Sequence, residues 1–513
     1  MSFETNRQDI TVHETLYADT VTELVEGDII VPDVKADVAK ILQIDGTTAI
    51  ESREYAGGKV TLNGCVYLTI LYTPTDGSKI EAIRTSMEYS HTIKAGSAED
   101  ALYASASCDV ANIDYNLYNS RKLNVKTTVA IDVKVTAKRS VTMVTGCEAD
   151  CPVEMQSRQV QTIAADMQTN DVIAIKEAFD IPNGMPNIGR ILKCDTQFKD
   201  QDYKVLAGKV VVKGEIGITT LYLSEEGEIE FMEHSLPFTE IIDANGIDED
   251  MEAEVTLELS NLAYQATEDS DGDIRVLFID TRMYVDINAY QKEMANVLSD
   301  AFCTDFPLDM QWGSFTYTYV GDTLRVPVTI KEVLRIDSEL PPIRQVYSLL
   351  IKPYINESQI QNGQMVIDGV ADAYILYLCE DEQTPLYSVR QEIPFSLTEE
   401  LEDTGGDYAD IRVSAEHCSY NITAGGDIEV RCIINVSAKA MQTVSTNFVE
   451  SITPAEVDEE EGPKPSLVIY FAQKGDTLWD IAKSYSVTQE NISRANKIVD
   501  GYIKAGQKIV IPR

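Results

Sequence analysis

The sequence predicts a mainly β protein in which three tandem homologous antiparallel β domains precede a small α+β domain of order βααβ. Three observations carry this expectation. A glycine pair followed by Leu-Tyr recurs three times at fixed spacing, the apolar residues around it alternate with a period of two, and residues 467–513 change to a helical period and to the opposite charge.

At 513 residues the chain has room for three to four domains of about 150 residues each. Its 44% apolar and 25% charged residues are those of a chain that buries cores, which separates it from the disordered class. The 84 acidic against 42 basic side chains give a formal charge of −42, a field that repels phosphate backbones and anionic lipid headgroups. Neither nucleic-acid nor membrane-surface binding is therefore expected of the whole chain, and with no run of 18 or more apolar residues no membrane insertion is expected either. The opening MSFETNRQDITVHETLYADT has no basic-then-apolar leader, so a non-secreted protein is expected. Nine scattered cysteines, an odd number, point to a reducing cytosol rather than to a disulfide framework.

Gly58, Gly64, Leu71 and Tyr72 recur as Gly208, Gly214, Leu221 and Tyr222 and as Gly363, Gly369, Leu376 and Tyr377. Between the glycines Val60 and Leu62, Val210 and Val212, and Met365 and Ile367 alternate with polar residues, the pattern of a half-buried strand. Tyr115, Tyr264 and Tyr420 end a later strand in each copy, and a last strand begins at Leu123, Ile274 and Ile428. Pro32, Pro182 and Pro341 stand upstream of the first glycine. The copies are assigned to 1–140 (motif core 29–136), 141–290 (175–288) and 291–445 (330–441), with less regular connections near 137–174 and 288–329. So long a period excludes a solenoid, and each copy should bury its own core.

The recurring residues are Gly, Leu, Tyr, Val and Pro, which set turns, strand ends and cores; no Ser, His, Cys, Asp or Glu occupies one aligned position in all three copies. The four histidines, His13, His91, His234 and His417, are far apart. No catalytic group, cofactor site or metal site is expected. Cys147 and Cys151 lack a second pair at zinc-ligand spacing. Asp269-Ser-Asp271-Gly272-Asp273 reads as an acidic hairpin turn, because its glycine sits too early for a calcium loop and a strand follows. Gly57-Gly58-Lys59 and Ala207-Gly208-Lys209 lack the Ser or Thr of a phosphate loop and read as strand entries.

Residues 446–466 end in the acidic, proline-containing stretch SITPAEVDEEEGPKPS, expected to be a solvated linker. Residues 467–513 carry a net charge of about +3 and form a separate domain. Val468 to Ala472 reads as a strand. Asp476 or Thr477 caps a helix bearing Leu478, Ile481, Ala482 and Tyr485 on one face; Thr488 caps a second helix carrying Ile492 and Ala495; and Gly506 to Pro512 closes as a strand. Tyr470, Gly475 to Leu478, Ile481-Ala482, Tyr485, Ile492, Asn496 and Gly506 to Pro512 resemble the LysM domain, with Ala472 in place of the usual valine. The resemblance implies a groove for N-acetylglucosamine-containing glycan or a protein partner, formed by Gly475, Asp476, Thr477 and Leu478 on one loop and Ile498, Asp500 and Ile503 on another. The residues themselves also allow Asp476 and Thr477 to act only as caps and Leu478 only as core.

Three β domains of this type ahead of an acidic linker and a C-terminal LysM domain resemble the SipL/SpoVID group of spore morphogenetic proteins, whose β repeats are SPOCS domains. The resemblance implies a non-enzymatic sporulation scaffold in the cytoplasm of the mother cell, at the outer forespore surface. Its LysM domain would dock on the sporulation ATPase of the coat basement layer, and its repeats would recruit other coat proteins. The alternative is a protein that binds peptidoglycan or its lipid-linked precursor through the LysM groove. A hydrolase is the least favoured reading, because neither paired carboxylates nor metal-ligand spacing is evident.

Overall fold

A computed structural model of the chain describes residues 3–77, 79–97, 101–259, 262–337, 339–379, 385–403, 405–455 and 467–512. Repeat 1 comprises β1 (Phe3–Ile30), β2 (Val38–Ala56), β3 (Lys59–Pro74), β4 (Glu81–Lys94), β5 (Ala101–Asn119) and β6 (Lys122–Ala149). Repeat 2 comprises β7 (Val153–Asp180), β8 (Ile188–Leu206), β9 (Lys209–Ser224), β10 (Ile229–Asp243), β11 (Glu252–Leu259), β12 (Ala263–Glu268) and β13 (Ile274–Cys303). Repeat 3 comprises β14 (Leu308–Leu334), β15 (Ile343–Gln361), β16 (Gln364–Cys379), β17 (Leu386–Glu400), β18 (Tyr408–Ile422) and β19 (Ile428–Pro454).

Each repeat is a sandwich of two antiparallel sheets, of order β2-β3-β4 and β1-β6-β5 in repeat 1. Repeat 2 builds the same pair as β8-β9-β10 and β7-β13 flanked by β11 and β12, and repeat 3 as β15-β16-β17 and β14-β19-β18. Alternation along β3 and β6 sends Val60, Leu62, Val66, Leu123, Val125, Val129 and Ile131 into one core, as expected for strands with one buried face. Repeats 2 and 3 each have such a core.

The recurring motif has a physical role at each position. Gly58, Gly208 and Gly363 have φ of +73°, +75° and +77°, the left-handed conformation that the tight hairpin turn requires. At Gly64, Gly214 and Gly369 the space of a β-carbon is filled by the ring of Tyr89, Phe238 or Phe395 on the adjacent strand. Tyr72, Tyr222 and Tyr377 are buried in their own sandwiches, their hydroxyls donating to the carbonyls of Ala36 (2.9 Å), Pro186 (3.0 Å) and Pro341 (3.2 Å). One residue earlier the side chain points to the other face of the strand. There Leu71, Leu221 and Leu376 meet in a single apolar cluster with Leu192, Ile229 and Tyr347, a core belonging to all three repeats.

The segments expected to be irregular connections are instead strands. Beyond the sandwiches β1 and β6, β7 and β13, and β14 and β19 continue as two-stranded ribbons of about a dozen residues per strand, roughly 40 Å long at the usual rise. A register shift marks each ribbon's base, at Thr15/Tyr17, Gln291/Lys292 and Val320/Thr323; such bulges bend and twist a strand pair. The three ribbons pack on one another through Ile10, Val12, Met143, Val160, Val297, Phe315 and Phe448, and nearer the tip through Val144, Leu298, Ala301, Met310 and Val449. Their apolar residues are widely spaced among polar ones, so the segments look irregular until the partner ribbons are present. Residues 446–454, expected in the linker, are the end of β19, and residues 456–466 lie outside the described residues.

The three repeats form a closed ring, because repeat 1 touches repeat 3 as well as repeat 2. Lys134 of repeat 1 pairs with Asp410 of repeat 3, and Lys352 of repeat 3 with Asp109 of repeat 1 at 2.7 Å. Lys439 of repeat 3 and Arg412 (2.8 Å) both hold Glu254 of repeat 2. Arg53 of repeat 1 pairs with Asp286 of repeat 2, and the buried Lys193 of repeat 2 bridges Asp45 of repeat 1 at 2.5 Å and Asp195 at 2.8 Å. Two cysteine pairs correct the expectation of isolated thiols: Cys151–Cys303 and Cys418–Cys432 are disulfides, joined by the fold across separations of 152 and 14 residues.

Gly64→Val places a branched side chain against the Tyr89 ring and should lower unfolding free energy by about 1–3 kcal/mol, measured by urea denaturation. Burial alone would raise the Glu254 carboxyl above its ordinary 4.5, but Arg412 and Lys439 more than reverse this and hold it at about 2. A depressed acid contributes stability above its unfolded value and loses it as pH falls, so the seam between repeats 2 and 3 should weaken from about pH 4.5 down to about 2. Glu254→Gln should flatten that dependence in a pH series of thermal melts.

Candidate recognition site in the C-terminal module

Residues 467–512 fold as β20 (Leu467–Phe471), α1 (Leu478–Tyr485), α2 (Gln489–Asn496) and β21 (Lys508–Pro512). The two strands pair antiparallel from Leu467↔Pro512 to Phe471↔Lys508. Beyond that end, Ala472 exchanges backbone bonds with Gly506 (2.7 Å) and Gln507 (3.0 Å), so the loop before α1 and the loop after α2 spring from one end of the sheet. Leu478, Ile481, Ala482, Val487, Ile492, Ile509 and Ile511 form the core.

The site residues expected from the sequence divide into two sets. Asp476 accepts from the Tyr470 hydroxyl at 2.6 Å and from the Gln473 amide at 2.8 Å, and the Tyr470 bond draws its carboxyl below the ordinary value. Thr477 is the N-cap of α1: its hydroxyl accepts from the Asp480 amide at 3.2 Å, while the Asp480 carboxylate accepts from the Thr477 amide at 3.1 Å, a reciprocal capping box. Leu478 is buried, and Ile498 and Ile503 pack on the core. These five residues build the loops. Gly475, in the left-handed region at φ +102°, and Asp500 are exposed, as is the capping Thr477. The large exposed hydrophobic side chains on these loops are two that the sequence reading did not single out, Val499 (91% exposed) and Tyr502 (72%). Apolar side chains off the helical period, in a short loop rich in Asp and Gly, are the signal that marks them.

Asn496 ties the second loop down. Its amide donates to the carbonyls of Ile492 (2.8 Å) and Val510 (2.6 Å), and its carbonyl oxygen accepts from the Val510 amide at 2.7 Å. The loop after α2 therefore starts from a fixed point against β21.

Trp479 lies off the core face of α1 yet is buried, because the end of the repeat 2 ribbon covers it. Its ring meets Phe302 edge-on at 5.1 Å and its Nε1 donates to Asp300 at 2.9 Å. Lys483, one turn along, donates to both Asp300 oxygens at 2.6 and 2.7 Å, and Gln489 donates to Glu154 at 3.0 Å. The module is thus seated on the body, with α1 as its docking face.

Elsewhere the four histidines bind separate partners: His13 with Asp166, His91 with Glu23, His234 with the Asp180 carbonyl and His417 with Asp200. Asp200 and His417, with Glu416, meet at the surface seam between repeats 2 and 3 and are largely solvent-exposed. Asp269 accepts from the amides of Asp271 (2.9 Å) and Asp273 (3.1 Å), forming the expected hairpin turn. A cavity of about 320 Å³ lies where the ribbons leave the sandwiches, lined by His13, Lys134, Lys292 and Lys439 from all three repeats. Among the described residues no helix is long and apolar enough to cross a membrane.

A family model described as SipL, SPOCS domain, matches residues 37–118, 187–267 and 342–423, and a LysM domain model matches 470–512. Each SPOCS match runs from the second strand of a repeat to the strand before its last, β2 to β5, β8 to β12 and β15 to β18. The long strands that complete each sandwich and build the ribbons lie outside the matches. No curated protein and no solved structure matches the chain.

Thr477→Ala removes the reciprocal cap and should cost about 1 kcal/mol, seen as faster amide exchange confined to α1 and its neighbours. Tyr502→Ala, at an exposed position, should leave that exchange unchanged.

Proposed function

As a SipL-like chain of three SPOCS domains and a C-terminal LysM domain, we propose that the protein is a non-enzymatic scaffold of the spore coat, working in the mother-cell cytoplasm at the forespore surface. Both domain families are non-catalytic. The observation that carries the reading is the closed ring: three lobes share one core and one bundle of ribbons, and present three sets of outer surfaces at fixed spacing while the LysM domain is held at a ribbon end. Such a body suits holding several coat proteins in register.

The LysM domain docks on the sporulation ATPase of the coat basement layer, and the repeats take other coat proteins. With Trp479 and Lys483 engaged by the body, the surface left for that partner includes the loops bearing Gly475, Asp500 and Tyr502. The exposed Tyr502 ring also favours a second reading, recognition of N-acetylglucosamine-containing glycan, in which the aromatic face covers a sugar ring.

Surface plasmon resonance with the full chain against the ATPase and against N-acetylglucosamine oligomers separates the two. The scaffold reading expects ATPase binding that Tyr502→Ala weakens about tenfold, an aromatic anchor of over 1 kcal/mol, with no sugar response. Sugar binding without ATPase binding would put the glycan reading in its place.

A further inference from the structure

We infer that Cys151 and Cys303 are a thiol oxidation site whose disulfide holds the docking platform of the LysM domain in place. Nothing in the spacing of the cysteines suggests it; the fold alone brings the pair together. Cys303 is the last residue of β13, and Cys151 lies two residues before β7. The ribbon's final registered pair is Val153↔Cys303, so the bridge closes the open end of the ribbon.

The next three pairs inward are Glu154↔Phe302, Met155↔Ala301 and Gln156↔Asp300. Phe302, Asp300 and Glu154 are the residues that receive Trp479, Lys483 and Gln489 of the LysM domain. Every one of these contacts therefore lies within three residues of a bridged cysteine. Strand ends fray in solution, and an end that frays here scatters the carboxylates and the ring that the LysM domain needs at once. A covalent link across the last pair removes that freedom and preorganises the platform. Cys151 is partly exposed and Cys303 buried, so Cys151 is the thiol that a reagent reaches first.

The oxidant is a low-molecular-weight disulfide. The Cys151 thiolate attacks one of its sulfurs, forming a mixed disulfide and expelling one small thiol; the Cys303 thiolate then attacks Sγ of Cys151 and expels the second. Two cysteine thiols are oxidised by two electrons, and one small disulfide is reduced to two thiols that carry away the protons. The other bridge, Cys418–Cys432, joins β18 and β19 in the repeat 3 sandwich and touches no LysM residue, so it serves as an internal control.

The test uses the full chain carrying Trp312→Phe, which leaves Trp479 as the sole indole. Iodide quenching of Trp479 and amide exchange over 478–485 are compared after glutathione disulfide, after dithiothreitol, and in Cys151→Ser/Cys303→Ser. Quenching and exchange about tenfold faster in the reduced and double-serine proteins, restored by reoxidation only in the former, are expected. Cys418→Ser/Cys432→Ser should follow the parent in every state. Equal protection in all states, persistence of both thiols after oxidation, or equal loss of protection throughout 277–289 of the repeat 2 core would each overturn the inference.

Discussion

The architecture depends on the two-residue parity of one strand in each repeat. Because neighbouring side chains on a strand point to opposite faces, Leu-Tyr at the end of β3, β9 and β16 commits the tyrosine to its own sandwich and the leucine to a core shared by three. A one-residue slip would bury the leucine at home and aim a phenol at the axis. The turn glycines and the ring-covered glycines fix that register. The dipeptide is thus the point at which folding of a repeat becomes assembly of the ring.

Closing the ring requires electrostatics as well as apolar contact. With twice as many acids as bases, the chain repels itself, and its cations are a scarce resource. Many of them stand at the seams: Arg53, Lys134, Lys193, Lys352, Arg412 and Lys439 each reach a carboxylate of another repeat. Most of these pairs are partly buried, and their value lies in specifying which repeat faces which, since an exchanged neighbour would leave a charge unpaired. The LysM domain follows the same logic. Its positive charge meets acidic residues of the ribbon through Lys483, so the complementarity that could serve an outside partner is partly used within the chain.

The legibility of the sequence tracks how local each signal is. Turn glycines, strand alternation and the LysM pattern act within about twenty residues, and they revealed the three repeats and the βααβ module. The ribbon segments within 137–174 and 288–329 look irregular in the sequence because each presents only a few inward apolar residues, whose burial depends on strands of the other two ribbons. The last strand of repeat 2 begins at Ile274 as expected, yet its buried alternation starts only at Leu277. Burial and pairing make Leu277 the counterpart of Leu123 and Ile428, because each leads the buried alternation of the last strand. The docking of Trp479 and the pairing of Cys151 with Cys303 are also products of long-range closure. Of the seven site residues named from the sequence, five also serve as cap, bridge or core, because a loop that must stand in one place uses its own side chains to do so.

A chain of three similar domains could gather partners by flexible tethering, with each later binding event made local by the linker. The closed ring changes the terms. Domains that share a core cannot move apart to reach separated targets, so the gain from multivalency exists only for partners already spaced as the lobes are. In return, the entropy of arranging three binding surfaces is spent when the protein folds rather than when it binds. Rigid presentation therefore favours ordered lattices over scattered ligands, which is the physical distinction between a template for a coat and an adaptor that collects its components.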